Sequence, residues 1–375
     1  MTKNVNRTLQ LTFFVILFAL LPLISIIPLQ LDSEIQSPLA AQKQVLAFYY
    51  SWYGNTTDYT DPAYNIMDFT PSGWAHWNGP GLNPPTTIAS TNYPELGAYD
   101  SCDPDLIKTH FSMAEYAGID AFICTWWGIG DYTDIAFNNI LNMANNVSPS
   151  LNFTVYYEAY SGRLLSLPIP EREITMAQEL KYILETYSIN NYFLKINNIP
   201  VIFIYSTFTS PFSSWKNIFS KVKAEFGPCY FVGDVLPNHY KDELAQVWDG
   251  LHIYNPTSTI DFQRMLTGSS ESEWDVSHVY ESIGQTAHLY NKLYAATVIP
   301  GYNDTVIRDP GIVIQRNGLE TYDKLWETAI QASADWILIT SFNEWHEGTE
   351  IESSLEYHDL YLNRTRNWTN LFHAG

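Results

Sequence analysis

Short apolar runs alternate with longer amphipathic segments along most of the chain. Eight runs rich in aliphatic and aromatic residues predict buried β-strands. Seven segments in which apolar residues recur every three or four positions predict helices between them. The strands are predicted at residues 45–50, 121–126, 153–157, 201–205, 230–233, 250–254, 295–299 and 336–340, and the helices at 104–117, 132–145, 174–195, 215–226, 240–248, 272–294 and 319–332.

This alternation predicts the fold class. Eight strands separated by helices over about 330 residues match a (β/α)8 TIM barrel, an α/β fold in which parallel strands close into a ring. A doubly wound open sheet is the alternative, but no glycine-rich phosphate loop follows the first strand, as nucleotide-binding versions of that fold require. We therefore predict that residues 42–375 form a single barrel domain.

A long segment without predicted helix or strand, residues 52–102, follows the first strand. It is rich in glycine, proline, asparagine and tyrosine, and loops of this length are uncommon in compact domains unless they are functional. The loops that follow barrel strands lie at the C-terminal face, where barrel enzymes hold their active sites. We therefore expect this segment to fold over the site.

The first 41 residues are predicted to be a targeting segment. Lys3 and Arg7 precede an uncharged, mostly apolar run at residues 11–29, which Pro22 and Pro28 interrupt. The run is longer than the core of most signal peptides and close to the roughly 20 residues of a membrane span. A cleaved signal peptide and a retained N-terminal membrane anchor both remain open. Either predicts an extracytoplasmic location, secreted or anchored to the membrane.

Composition narrows the range of partners. A net charge of -21 argues against nucleic acid and suits a neutral or cationic substrate. Aromatic residues make up 15% of the chain, a surplus typical either of a heavily packed core or of a sugar-binding cleft lined with flat rings. Cys102, Cys124 and Cys229 follow neither a metal-binding spacing nor a disulfide framework, although one pair could bridge in an exported protein.

Polar and aromatic residues are concentrated directly after the predicted strands, whose bodies are apolar. In a barrel these positions predict a cleft with aromatic walls and glutamates at its base. Adjacent residues of a strand point to opposite faces, so one of the two tryptophans that end the second strand is expected to pack in the core. The residues at strand ends include Tyr50, Trp126, Trp127, Glu158, Tyr205, Asp234, Tyr254, Tyr302, Asp304, Arg308, Asn343, Glu344 and Glu347.

Glu344 and Glu347 lie in the segment SFNEWHEGTEIESS (341–354), which follows the last strand. Two carboxylates among aromatic rings suit glycoside hydrolysis, in which one protonates the leaving oxygen and the other assists attack at the anomeric carbon. They could instead be ordinary acidic residues at the start of a helix. His346, Glu347 and His358 could also bind a metal, but no close ligand triad is present. We therefore expect no metal and no organic cofactor.

Seven longer motifs make the sequence similar to family 99 of the glycoside hydrolases, the endo-α-1,2-mannosidases and endo-α-mannanases. They occur in the family's order and span nearly the whole chain after the targeting segment. The motifs are FYYSWYGN (48–55), WAHWN (74–78), YPELGAYDSCDP (93–104), AGIDAFICTWWG (117–128), YYEAYSGR (156–163), IPGYNDTVIR (299–308) and NEWHEGTEIE (343–352).

The resemblance implies a retaining barrel enzyme that cleaves internal α-1,2-mannosidic linkages in mannan or mannose-containing oligosaccharides. Glu344 is implied to take the proton of the substrate's 2-hydroxyl, whose oxygen then attacks the neighbouring anomeric carbon and forms a 1,2-anhydro sugar. Glu347 is implied to act as general acid to the leaving sugar and then as base to water. The implied sugar-binding residues are Tyr50, His76, Trp126, Trp127, Glu158, Tyr254, Arg308 and Asn343.

The sequence departs from the family pattern near the motif. Glu350 replaces a usual glutamine, Ser353 replaces a usual proline, and no acid follows Tyr205. A non-catalytic glycan-binding or envelope-polysaccharide assembly module on the same barrel is therefore the alternative function. If the chain is an enzyme and Glu347 is its general acid, its surroundings must raise the pKa of Glu347. Arg308, if it lies close to Glu344, would keep the Glu344 carboxylate ionised.

Overall fold

Eight parallel strands form the centre of the protein in a computed structural model, which describes residues 42–56, 73–236, 241–267 and 274–375. Their bounds agree with the predicted strands to within a few residues at each end. The strands are β1 Gln44–Tyr49, β2 Ala121–Trp126, β3 Asn152–Glu158, β4 Ile199–Tyr205, β5 Tyr230–Asp234, β6 Gly250–His252, β7 Leu293–Val298 and β8 Trp336–Ile339.

The strands close into a barrel. Their hydrogen-bonded order is β3-β2-β1-β8-β7-β6-β5-β4, and β3 also pairs with β4. Gln44 is aligned with Trp336 between β1 and β8, and Glu158 is aligned with Tyr205 between β3 and β4. Parallel neighbours need a crossover connection, which is usually a helix. The predicted (β/α)8 fold is therefore confirmed, and the open sheet is not what forms.

Each strand is followed by a helix along the chain. The first helix begins where Asp103 accepts a hydrogen bond from the Asp105 backbone N–H, and it ends at Gly118, whose φ of 74° suits a glycine. The helices are α1 Pro104–Ala117, α2 Tyr132–Val147, α3 Ile169–Tyr187, α4 Phe212–Phe226, α5 Lys241–Val247, α6 Ser277–Leu289, α7 Glu320–Gln331 and α8 Leu360–Ala374.

The connections contain shorter elements. Lys195–Ile196 forms a two-residue strand antiparallel to the start of β4, and Tyr302–Asn303 pairs with Val313–Ile314 in a hairpin after β7. Short helices at Gly162–Leu165 and Thr257–Thr267 follow β3 and β6. The 3-10 turns Thr207–Thr209 and Trp345–Glu347 follow β4 and β8.

Some predicted helices are longer than the helices in the structure, and some helices were missed. The helix predicted at 174–195 ends at Tyr187, before the Lys195–Ile196 strand, and the helix predicted at 272–294 ends at Leu289, before β7. The helix Thr257–Thr267 was not predicted, nor was helix α8, which closes the barrel's outer layer. The first residues of the segments predicted at 240–248 and 272–294 lie outside the described residues.

Alternate residues of the strands pack into two layers. In β1, Leu46 and Phe48 face the barrel interior together with Trp336 of β8, whereas Val45 and Ala47 pack against the helices. Strands with both faces buried are expected in a parallel sheet covered by helices. Because side chains fill the barrel interior, the open site lies above it, at the C-terminal ends of the strands.

Cys102, Cys124 and Cys229 are buried and no disulfide joins any two of them, so the bridge left open by the sequence is not formed. Within the part of the chain that the structure describes, no helix has both the length and the apolar character needed to cross a bilayer. The predicted targeting segment at residues 1–41 lies outside that part. That residues 1–41 form a signal peptide or a membrane anchor therefore stays a prediction.

Candidate active site

The loop after β8 holds the two candidate carboxylates. Ser341 donates its backbone N–H to the Thr349 carbonyl at 2.9 Å, and the Glu344 N–H donates to the Ser341 hydroxyl at 2.6 Å, so the loop folds back on its own start. Glu344 caps the 3-10 turn Trp345–Glu347. Residues three apart in a 3-10 turn lie on the same side, which brings the side chains of Glu344 and Glu347 to one side of the cleft.

Glu344 is almost fully buried, with 2% of its surface exposed. Its Oε1 accepts a hydrogen bond from the His346 backbone N–H at 3.1 Å. Its Oε2 is buried and accepts no hydrogen bond from the described residues. Burial, and then the charge of Glu347, raise the pKa of Glu344 well above its ordinary value, while the His346 N–H and Arg308 oppose that shift.

Glu347 has three polar neighbours. The hydroxyls of Tyr254 and Tyr302 lie 3.3 Å from its Oε2 and Oε1, and Arg308 Nη1 lies 3.6 Å from Oε1. As predicted, burial raises the pKa of Glu347, although Arg308 and the two hydroxyls act in the opposite direction. Arg308 also lowers the pKa of Glu344, in the predicted direction, but its guanidinium forms its ion pairs with Glu347 and, at 2.6 Å, with Asp304.

The two carboxylates titrate as a pair. Burial raises both pKa values, and the charge of Glu347 raises that of Glu344 further, so the pair holds a proton more readily than two exposed glutamates would. Arg308, Tyr254 and Tyr302 favour the ionised form of Glu347, and the His346 backbone N–H and Arg308 favour the ionised form of Glu344. The arrangement can therefore supply one acid and one base from adjacent carboxyl groups.

An aromatic wall flanks the pair. The rings of Trp52 and His76 are stacked with centroids 4.4 Å apart, and Trp127 lies 6.2 Å from Trp52. His346 donates from Nε2 to the His76 carbonyl. Burial and the neighbouring His346 lower the pKa of His76 to about 3, so this ring is neutral at physiological pH. The wall offers flat, uncharged faces of the kind that stack on sugars.

The long loop after β1 forms part of this wall, as predicted. Its Trp77 is fully buried against Tyr53, with ring centroids 4.2 Å apart, and donates its indole N–H to the Tyr99 carbonyl at 2.7 Å. These contacts fix the chain around His76, whose own φ is 58°. Residues 57–72 of the loop lie outside the described residues.

A second group of acids forms the side of the cleft next to β3 and β5. Glu158 accepts a hydrogen bond from Thr125 at 2.8 Å, and burial raises its pKa to about 8. Asp234 accepts hydrogen bonds from the Ser206 and Tyr254 backbone N–H groups, and burial raises its pKa to about 7. The Tyr50 hydroxyl donates to that of Tyr254 at 2.6 Å, which connects this group to Glu347.

Two residues predicted to contact substrate do not reach the cleft. Trp126 is fully buried in the helix-facing layer, where its indole N–H donates to Asp134 at 2.8 Å. Asn343 is also fully buried, and its amide bonds both the N–H and the carbonyl of Tyr50 at 2.7 and 3.0 Å. Trp126 is thus a packing residue, and Asn343 positions the end of β1.

The sequence left other contributors to the site without a role. Trp52 and His346 complete the aromatic wall, and Tyr302 and Asp304 hold Arg308 at 2.7 and 2.6 Å beside Glu347. Their positions directly after β1, β7 and β8 were the one feature of the sequence that indicated a place in the site. The sequence pattern does not predict which polar residues of those loops contact one another.

The three residues considered as metal ligands do not form a site. His358 pairs with Glu95, whereas His346 contacts the His76 carbonyl. Across residues 42–56, 73–236, 241–267 and 274–375, no group of three or more His, Cys, Asp or Glu side chains is arranged to hold a metal ion.

We expect the rate of glycan hydrolysis to survive a chelator, because Glu344 and Glu347 can supply both proton transfers without a metal. The measurement compares initial rates before and after dialysis against EDTA, with a mock-dialysed sample as control. A complete loss of rate that is restored by adding a divalent metal would contradict this expectation.

We expect the protein to lose stability as pH rises, partly because of Glu158. Its folded-state pKa of about 8 exceeds the roughly 4.3 of an exposed glutamate, so the folded state binds more protons between these values. The free energy of unfolding therefore falls across that window. Thermal unfolding of the Glu158→Gln variant should show a smaller decrease in Tm from about pH 5 to pH 8 than the unsubstituted protein.

The exposed Glu281 on α6 provides the matched control, since Glu281→Gln should leave the pH dependence of Tm unchanged. Glu344, Glu347 and Asp234 are also buried acids with raised pKa values, so some decrease will persist in Glu158→Gln. An identical decrease in Glu158→Gln and the unsubstituted protein would show that Glu158 does not titrate as its burial implies.

A closed parallel barrel with a pair of adjacent carboxylates beside an aromatic wall defines the chain as a glycoside hydrolase. Comparison with known proteins agrees, because the model of glycosyl hydrolase family 99 matches residues 40–374. The chain therefore belongs to glycosyl hydrolase family 99, and it is similar to the endo-α-mannosidases.

Individual relatives are similar over most of their length. The chain is 28% identical to mouse glycoprotein endo-alpha-1,2-mannosidase over 375 residues, covering 87% of this chain and 74% of that protein. It is 29% identical to the human glycoprotein endo-alpha-1,2-mannosidase-like protein over 367 residues, covering 87% and 75%. The solved GH99 endo-alpha-mannosidase from Bacteroides thetaiotaomicron in complex with bis-tris-propane is 28% identical, with a TM-score of 0.68 and coverage of 88% and 98%.

Proposed function

We propose that this protein is an endo-acting α-mannosidase that hydrolyses internal α-1,2-mannosidic linkages with retention of configuration. The observation that carries the proposal is the pair of the buried Glu344 and the half-buried Glu347, in which one oxygen of Glu344 has no partner among the described residues. A substrate hydroxyl is a suitable donor for that oxygen. Relatives named endo-alpha-1,2-mannosidases support the linkage and the endo mode.

The proposed reaction begins at the substrate's 2-hydroxyl. Glu344 Oε2 takes the hydroxyl proton while the freed oxygen attacks the neighbouring anomeric carbon. The bond from that carbon to the leaving oxygen breaks, and Glu347 donates a proton to the leaving oxygen. The product of this step is a 1,2-anhydro sugar, with Glu344 protonated and Glu347 ionised.

Water completes the reaction. Glu347 takes a proton from the water whose oxygen attacks the anomeric carbon, and the epoxide bond to that carbon breaks. Glu344 returns its proton to the sugar's 2-oxygen. Two inversions at the anomeric carbon give net retention, and both glutamates regain their starting protonation states.

In the free protein, the contacts with Arg308, Tyr254 and Tyr302 favour the ionised form of Glu347, whereas the reaction starts with Glu347 protonated. We propose that substrate binding reverses this preference. A 2-hydroxyl donating to Glu344 Oε2 stabilises the Glu344 carboxylate, and hydrogen bonding to a charged form lowers its pKa. The proton of the pair then resides on Glu347. In this scheme Arg308, Tyr254 and Tyr302 stabilise the Glu347 anion that forms when the leaving group departs.

Sugar recognition is assigned to the rest of the cleft. Trp127, Trp52 and His76 would stack on pyranose faces, since their rings form the half-buried wall. Glu158 and Tyr254 would bond sugar hydroxyls from the opposite side, next to Tyr50. The preference between glucose and mannose at the non-reducing end is a property of these contacts.

The test is hydrolysis of an α-1,2-linked mannan and of glucosylated manno-oligosaccharides by the protein between pH 4 and pH 8. We expect internal cleavage of at least one substrate, detected as oligosaccharide products rather than released monosaccharide. Absence of any cleavage, with tight oligosaccharide binding by calorimetry, would instead support the non-catalytic glycan-binding module.

One of the departures that motivated this alternative, Glu350, has a structural explanation. Glu350 is paired with Arg316 at 2.5 Å and accepts a hydrogen bond from Asn92 at 2.7 Å. Arg316 contacts the rings of both Tyr357 and Tyr361, at 4.6 and 4.5 Å from their centroids. The acid in place of the usual glutamine thus balances a buried cation.

We also propose that the barrel acts outside the cytoplasm, because Lys3 and Arg7 followed by the apolar run at 11–29 match an export or anchor signal. N-terminal sequencing of the native protein tests this. A mature N-terminus near residue 41 indicates cleavage, and an intact Met1 in the membrane fraction indicates an anchor. An intact chain in the cytosol would contradict the proposal.

A further inference from the structure

Four neighbouring strands each end in a loop that presents an aromatic ring. Trp52 follows β1 and Trp127 follows β2, and both are half-buried in the aromatic wall. Tyr160 follows β3 and Phe208 follows β4, and these two rings are 55% and 54% exposed. We call Tyr160 and Phe208 the outer rings. They lie outside the set of residues that the proposed reaction uses.

The outer rings continue the cleft at its rim. Glu158, which lines the cleft, is aligned with Tyr205 across the β3–β4 pair. Tyr160 follows Glu158 by two residues, and Phe208 follows Tyr205 by three. Both rings therefore project from adjacent loops at the same edge of the C-terminal face, next to the loop that carries Trp127.

The loops that carry the outer rings are fixed. Arg172 donates to the Thr209 carbonyl at 3.0 Å and to the Leu165 carbonyl at 3.1 Å, which joins the loop after β4 to the loop after β3. Trp215 donates its indole N–H to the Thr207 carbonyl at 2.7 Å. A loop backbone held in place before binding loses little conformational freedom when a ligand arrives. Exposed rings on such rigid loops fit a preformed contact surface.

We propose that Tyr160 and Phe208 form an outer carbohydrate subsite, which holds mannose units of a long chain after it leaves the cleft. This inference rests on the proposed endo activity, since an enzyme that cuts within a chain must hold sugar on both sides of the bond. Flat rings without charge suit the C–H faces of a neutral polysaccharide. With a net charge of -21, the protein is poorly suited to an anionic membrane surface.

The test compares a long α-1,2-linked mannan with a tetrasaccharide of the same linkage, using the full-length chain and a Tyr160→Ala/Phe208→Ala double variant. We expect kcat/KM on the mannan to fall by about fivefold or more, with loss of stacking at two rings. We expect a tetrasaccharide to occupy the cleft without reaching the outer rings, so its kcat/KM should change less than about twofold. Equal losses on both substrates, or no loss on the mannan, would overturn the proposal.

Tyr116 provides the matched control. It is a 45% exposed tyrosine at the end of α1, on the opposite face of the barrel, so Tyr116→Ala should leave both substrates unaffected. An unchanged thermal unfolding temperature in the double variant shows that its barrel is intact. If Tyr116→Ala lowers mannan turnover as much as the double variant does, the effect is not specific to the outer rings.

Calorimetry separates this proposal from the proposed reaction. Mannan is titrated into a Glu347→Gln variant with and without the two alanine substitutions, so binding is measured without turnover. Weaker mannan binding with the alanines supports the outer subsite even if the unsubstituted protein cleaves no α-1,2-linkage. Equal binding refutes it. Binding to uncharged lipid vesicles that depends on Tyr160 and Phe208 would assign the surface to a membrane and would also refute it.

Discussion

Glu347→Gln is expected to lower kcat on natural α-mannosides by about 10²–10⁴-fold, the usual range for loss of an acid–base group. Natural leaving sugars depart as poor alkoxides unless protonated, and glutamine cannot donate the required proton. Substrates with a leaving group that needs no proton, such as a mannosyl fluoride, should lose much less in their first step. The measurement is the ratio of rates on the two substrate classes in the variant and the unsubstituted protein.

Glutamine preserves the size of Glu347 and can still contact Tyr254 and Tyr302, so the loop after β8 should keep its form. The control is Glu281→Gln, an exposed glutamate on α6, which should leave both rates unchanged. Equal losses on fluoride and natural glycoside would contradict the acid role. A loss below about tenfold on the natural substrate would do so as well.

Glu344→Gln is expected to be slow on both classes of substrate, because its task is at the 2-hydroxyl and does not depend on the leaving group. The buried Oε2 of Glu344 is the proposed acceptor for that proton, and an amide cannot remove it. The expected loss is again about 10²–10⁴-fold. The variant should remain folded, since the substitution removes a carboxyl group whose pKa burial already raises.

The same argument predicts the behaviour of substrates that lack the 2-hydroxyl. A 2-deoxy or 2-fluoro mannoside should not be cleaved, whatever its leaving group, because it has no 2-hydroxyl oxygen to attack the anomeric carbon. Fast turnover of either analogue would refute neighbouring-group attack. Glu344 would then be better interpreted as a direct nucleophile on the anomeric carbon.

The barrel could be predicted from the sequence because each strand is a short apolar run and most helices carry a clear apolar stripe. Helix α8 was missed because two of its six buried positions are the threonines Thr365 and Thr369. Thr369 packs so closely on α1 that an added Cβ at Gly118 would lie 2.5 Å from its Oγ1. The tertiary fold determines whether a polar residue is buried against a backbone. A prediction based on the spacing of apolar residues therefore misses buried threonines.

The position of the site could also be predicted, but its internal contacts could not. The rule that chemistry follows barrel strands located Glu344, Glu347 and Arg308 at one face. Whether Arg308 meets one glutamate or the other depends on the hairpin after β7 and on Asp304, which anchors the guanidinium. Likewise, strand alternation required that either Trp126 or Trp127 face the core, and only the assembled barrel selects Trp126.

The central claim is that Glu344 and Glu347 cleave internal α-1,2-mannosidic bonds with retention. The most direct test is an NMR time course of a defined α-1,2-linked manno-oligosaccharide with the protein, observing the anomeric protons of the first products. The account predicts that an internal bond breaks and that the new reducing end appears first as the α-anomer. Initial appearance of the β-anomer, or stepwise release of single mannose units from the chain end, would contradict it.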